Sequence, residues 1–184
     1  MERRTMTGHL AAVLTAVLWG TTFISTKILL VDFNPVEILF IRFIMGYVAL
    51  SLVAGKRIPY TGWRGELPFI AAGISGITLY YLFENMALTY TMASNVGVVV
   101  SAAPLFTAIL IHLVYKEEKF QPSFLAGFVV SMAGICLISF NGSRLELNPI
   151  GDLLSVAAAV LWAFYSVFTR KISGYGYSTV VMTR

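Results

Sequence analysis

The chain has 184 residues, of which 58% are hydrophobic and 12% charged, with a mean hydropathy of +0.80. Soluble domains carry roughly 25% charged residues, so this composition excludes a soluble globular protein and reads as a membrane chain. The net charge of +4 does not point to nucleic acid, because the basic residues are spread along the chain in short loops, and the single Cys136 allows no internal disulfide.

A membrane-spanning helix needs about 20 mostly apolar residues. Six segments meet that requirement, at 8–31, 35–54, 66–88, 91–115, 121–140 and 149–171. Arg3 and Arg4 before the first segment superficially resemble a signal peptide. The apolar run continues to about Val31, too long for a leader, so it is read as an uncleaved first span. Asn34-Pro35 divides the first pair of spans, and the stretch from Gly55 to Pro59 the second and third. Lys116 to Pro122 divides the fourth and fifth, and Asn141 to Pro149 the fifth and sixth. Pro35 and Pro149 suit the first turn of a helix, where no N–H bond is lost. The junction from Leu88 to Thr91 carries no strong breaker.

Lys and Arg in short loops set orientation. A cytoplasmic amino terminus puts Arg3, Arg4, Lys56, Arg57, Arg64, Lys116, Lys119, Arg170 and Lys171 inside and leaves Arg144 outside. The expectation is a multi-pass protein of the cell membrane, embedded in lipid, with its amino terminus in the cytoplasm.

The sequence also repeats itself. Gly8–Lys27 (GHLAAVLTAVLWGTTFISTK) returns as Gly151–Arg170 (GDLLSVAAAVLWAFYSVFTR), an offset of 151 − 8 = 143, with eight of twenty positions identical. Trp19 falls on Trp162 inside the shared string AVLW. The second copy begins after five crossings, an odd number, so it enters the bilayer inverted, as in secondary transporters built of two opposed repeats around a midplane site. Tyr177–Arg184 aligns in turn with Pro35–Arg42, at an offset of 184 − 42 = 142. The predicted fold is an all-α polytopic membrane helix bundle. A five-span inverted repeat covers 8–140, and a second repeat, truncated, begins at 149–184. A homodimer or further carboxy-terminal spans would complete it.

The region Asn85–Ile138 resembles the EamA family of the drug/metabolite transporter superfamily. The resemblance rests on Ala87, Leu88, Tyr90 and Thr91, on Pro104 in the next span, on Glu117 at its end, and on Gly127 and Gly134 in the span after. Trp19-Gly20 with Phe23, and Arg42, fit the family's first two spans. It implies a ten-span carrier of small metabolites, two five-span repeats long. This chain departs from that pattern in length, which implies that it does not transport alone.

Charge inside a bilayer is expensive and points to function. Glu84, about four residues from the end of the third span, is the costliest residue here. Lys27 and Arg42 lie at comparable depth, and the three are expected to form an ionic layer, with Glu37 nearer the surface. The alternative for Lys27 and Glu37 is that they snorkel to the interface. Trp19, Thr22, Tyr80, Tyr81, Glu84, Asn85, Asn95 and Ser101 are candidates for a polar, aromatic-lined solute pathway. The competing reading makes the Asn and Ser side chains hydrogen-bonding glue between helices. Pro104, mid-span, is a hinge or a fixed kink. Gly97 with Ser101, and Gly127 with Gly134, are expected to let helices pack closely.

Gly73-Ile74-Ser75-Gly76 is similar to the nucleophile motif of rhomboid-type intramembrane serine proteases. Such a serine needs a histidine base within hydrogen-bond reach. His112 differs from it in depth by on the order of 10 Å or more at 1.5 Å per residue. His112 reads otherwise as an interfacial residue or a proton relay. A small multidrug-type dimeric carrier would place an acid within its first span, and this one has none there. No metal-ligand spacing, nucleotide motif or cofactor signature appears. The sequence is therefore read as a non-enzymatic, gradient-driven, alternating-access transporter of small polar solutes such as amino-acid-like metabolites.

Overall fold

A computed structural model describes residues 2–54, 62–116, 121–140 and 148–183, without the side chains of 2–5 and 138–140. Lys56, Arg57, Glu117, Glu118, Lys119, Arg144 and Arg184 lie outside the described residues. All the described regular structure is helical: α1 (Glu2–Leu29), α2 (Pro35–Ala54), α3 (Trp63–Ala72), a π-helix (Gly73–Leu79), α4 (Tyr80–Tyr90), α5 (Ala93–Val100), α6 (Ala103–Tyr115), α7 (Pro122–Phe140), α8 (Pro149–Ser173) and α9 (Thr179–Thr183). Five helical stretches are long and apolar enough to cross a bilayer, at 6–29, 35–54, 63–90, 93–115 and 149–173. The chain is an all-α multi-pass membrane protein.

Local chemistry starts α2 and α8. Asn34 Oδ1 accepts from the backbone N–H of Val36 (3.1 Å) and Glu37 (3.0 Å), and Glu37 Oε2 accepts from Asn34 N (2.9 Å). This reciprocal arrangement is a capping box, with Pro35 at the first helical position. Glu37 is thus committed to a helix start rather than to an ionic layer. Asn148 likewise caps Ile150 N (3.2 Å) and Gly151 N (3.1 Å) at the start of α8.

The third span is one continuous helix from Trp63 to Tyr90, with seven residues of π geometry between its α-helical halves. It ends where Thr91 turns extended (φ −137°, ψ 176°). Lys27 holds that end from α1: its Nζ donates to the carbonyls of Leu88 and, at 2.9 Å, Thr91. The stop signal missing from the local sequence is therefore a tertiary contact. The fourth span breaks after Val100, and Pro104, which cannot donate an N–H to the turn before it, opens α6 at its second residue.

Helix α8 is the centre of the described bundle, packing against α3, the π-helix, α4, α5 and α6. One face carries Gly151, Ser155, Ala158, Ala159 and Ala163, all buried. Small residues let helix backbones approach closely. A Cβ on Gly151 would sit 2.9 Å from Thr91 Cβ, and one on Gly76 would clash with Tyr165, 2.1 Å from its Cδ2. Gly97, Gly127 and Gly134, expected to serve such contacts, instead have nothing within 4 Å of a Cβ placed there. α7, which carries the last two, lies at the periphery and packs mainly on α5.

Candidate functional site

Gly151 beside Thr91 and Gly76 beside Tyr165 fix α8 antiparallel to the third span. That register brings Trp162 to the level of Tyr80. Trp162 is the hub of an aromatic cluster: its ring centroid lies 5.0 Å from Trp19 (edge-on, 85°), 5.0 Å from Tyr80 and 5.1 Å from Tyr165. Tyr80 meets Tyr81 edge-on at 5.0 Å. Edge and tilted pairs at these separations are the favourable aromatic geometry.

The cluster forms one wall of a cavity of about 540 Å³, within the usual range for small-molecule sites. Trp19 enters from α1, Leu39, Arg42 and Tyr47 from α2, Gly76 and Ile77 from the π-helix, Tyr81 from α4, and Trp162 and Tyr165 from α8. Arg42 is the charged side chain among these lining residues. Its guanidinium lies 5.3 Å from the centroid of the Tyr81 ring, and Nη1 donates to Thr26 Oγ1 at 3.2 Å. Cation–π contact holds a guanidinium in place while its remaining donors stay available. A smaller cavity of about 320 Å³ adjoins it, sharing Ile77, Tyr165 and Thr183. Among the described residues no His, Cys, Asp and Glu cluster could hold a metal ion.

The EamA-like transporter family matches residues 6–140. The chain belongs to that family. An uncharacterized transporter of Archaeoglobus fulgidus is 34% identical to it over 169 residues, 89% of this chain and 57% of that one. Probable amino-acid metabolite efflux pumps of Salmonella typhimurium and Escherichia coli are 26% and 25% identical, over 94% of this chain and 56% of theirs. The chain thus spans about half the length of the relatives it matches. A crystal structure sharing 24% identity superposes with a TM-score of 0.66, covering 90% of this chain and 57% of that one, and shows the same fold.

Within this family member, the residues singled out from sequence divide in two. Trp19, Arg42 and Tyr81 line the cavity, with Tyr80 directly behind it. Glu84 is 2% exposed, one helical turn beyond Tyr80 and within electrostatic reach of Arg42. The others are spent on their own surroundings. Thr22 Oγ1 donates to Trp19 O (2.7 Å) and Ser101 Oγ to Gly97 O (2.6 Å). Asn95 Nδ2 donates to Thr91 Oγ1 (3.2 Å). Asn85, fully buried, donates to Pro35 O at 3.3 Å, and its Oδ1 has no partner. Ser75 Oγ, read as a conceivable nucleophile, donates to Ala71 O at 2.7 Å. Back-bonding of this kind is how membrane helices satisfy hydroxyls. Lys27 serves the carbonyls of Leu88 and Thr91, and no ion pair joins it or Arg42 to Glu84 within 4 Å among the described residues.

Trp162 and Tyr165 also line the cavity and were not among the residues singled out from sequence. The repeat contained the signal. Trp162 is the counterpart of Trp19, and Tyr165 that of Thr22, at the same offset of 143.

Proposed function

We propose that this EamA-family chain contributes the solute-binding chamber of a gradient-driven, alternating-access carrier for small amino-acid-like metabolites. The carrying observation is the aromatic-walled cavity with Arg42 as its charged liner. A guanidinium is built to take a carboxylate by paired N–H donors. Tyr81, Trp19, Trp162 and Tyr165 offer apolar faces to the rest of a small solute. The names of the efflux-pump relatives support the amino-acid class. The contact between Trp19 and Trp162 supports a chamber on the pseudo-symmetry axis, since repeat-equivalent residues can touch only there. Lipid surrounds the bundle, and the amino terminus is placed in the cytoplasm by the distribution of Lys and Arg.

Quenching of tryptophan fluorescence in the purified chain tests the reading, with free amino acids compared against their methyl esters. Free acids should bind more tightly. Arg42→Gln should weaken them on the order of 10- to 100-fold, the worth of a charge-assisted hydrogen bond, and leave the esters unaffected. Equal binding of acid and ester would sink the assignment.

A further inference from the structure

We propose that Glu84 is a proton-binding site whose proton determines where Arg42 points. The proposal rests on the transport reading above and names what that reading lacks, a coupling ion.

Glu84 sits midway along the α4–α8 contact. The antiparallel register between Gly151–Thr91 and Gly76–Tyr165 brings the small, fully buried Ala158 and Ala159 opposite it. Its own exposure is 2%. A bare carboxylate so enclosed is costly unless a cation is bound to it. The groups facing it are few. From α2 comes Arg42, while Glu37 caps its own helix. From α1 comes Lys27, held on the Leu88 and Thr91 carbonyls. From α8 come Tyr165, beside Gly76, and Asp152, at the level of Thr91. α5 and the π-helix carry no titratable side chain. On α4 itself the neighbours are Tyr80, one helical turn before Glu84, and Tyr81.

Arg42 is therefore the cation within electrostatic reach, and it is engaged elsewhere, over Tyr81 and on Thr26. This is the arrangement of a protonated Glu84. Arg42 stays at the cavity wall, ready for a substrate carboxylate. Loss of the proton leaves a buried anion, whose attraction for Arg42 is strong in a low-dielectric setting. The guanidinium is then drawn off Tyr81 toward Glu84, and the carboxylate site is lost. Proton and anionic substrate are bound together. Glu84 does not line the cavity, so it is a positioning residue acting through Arg42.

Infrared difference spectroscopy of the purified chain across a pH titration tests this without any substrate. A protonated-carboxyl band should be present at neutral pH and disappear on alkalinisation, accompanied by a shift of the arginine guanidinium bands. Glu84→Gln should remove both signals. If that variant does not fold, Tyr80→Phe should keep the carboxyl band but move its frequency. Absence of the band, or its persistence in Glu84→Gln, or a band indifferent to Tyr80→Phe, overturns the proposal. In a second arm, binding of a free amino acid should take up a proton, with apparent affinity falling by up to tenfold per pH unit as Glu84 titrates, and Glu84→Gln should abolish that slope. Infrared signals as expected with no amino acid bound would uphold the proton site and overturn the transport reading. Binding without proton uptake would do the reverse.

Discussion

Gly76 and Tyr165 pack closely together in the wall of the cavity. Gly76 has no Cβ, and the Tyr165 ring occupies that space. Gly76→Ala should therefore destabilise the bundle by about 1–3 kcal/mol, the usual cost of overpacking, seen as a lower unfolding midpoint in detergent. Gly76→Ala with Tyr165→Ala should recover part of that loss. Full stability of the single variant would show that α8 does not lie against the π-helix. Lys27 makes the same point with a charge. Sequence suggested an intramembrane cation seeking an acid, whereas the ammonium donates to Leu88 and Thr91 carbonyls left open by the end of α4. Cations at helix carboxy termini are stabilising because the last carbonyls lack partners.

At the scale of elements, the helix starts are the most testable. Glu37→Ala removes the carboxylate that accepts from Asn34 N, and it should cost about 1 kcal/mol. Glu37→Gln should cost less, since an amide oxygen can accept the same bond. Thermal unfolding of the two variants in one detergent separates them, and equal losses would contradict the capping role. Asn34-Pro35-Val36-Glu37 was readable as such a box, and reading Glu37 as one of several outer charges passed it over. Five of the six expected spans were legible because length and apolar content alone define them. The division between Tyr90 and Ala93 was placed to within two residues, but its cause was not legible, because Lys27 in another helix stabilises it. The break near Pro104 was legible from the missing N–H. The π geometry of Gly73–Leu79 left no signal beyond a pair of glycines, which first suggested a protease motif. Of the residues singled out from sequence, Trp19, Arg42 and Tyr81 line the cavity. Thr22, Asn95 and Ser101 looked equally polar in sequence, but their hydrogen bonds are satisfied locally.

For the whole molecule, the central position of α8 makes α1 and α8 partners rather than distant copies. Orientation is the property to measure at this scale. With Cys136 replaced, cysteines at Arg64 and Lys116 should react with an impermeant maleimide only after permeabilisation, and one at Arg144 without it. The opposite pattern would invert the assignment from Lys and Arg. The π-helix has one more consequence. An α-helix advances about 100° per residue, and a π segment holds a residue more than an α-helix needs to join the same two ends. The third span therefore carries slack in its backbone. Deleting Ile74, which is exposed, should straighten the span and leave Tyr81 where it is. Deleting Ile44 from the regular α2 should turn every residue beyond it by about 100° and abolish folding. Reactivity of a cysteine at Tyr81 and yield of monodisperse protein report the two outcomes. If the slack instead passes into α4 with the chain intact, Tyr80, Tyr81 and Glu84 swing together by about the same angle. The third span would then work as a screw, turning the half that carries Glu84 while its other half stays still.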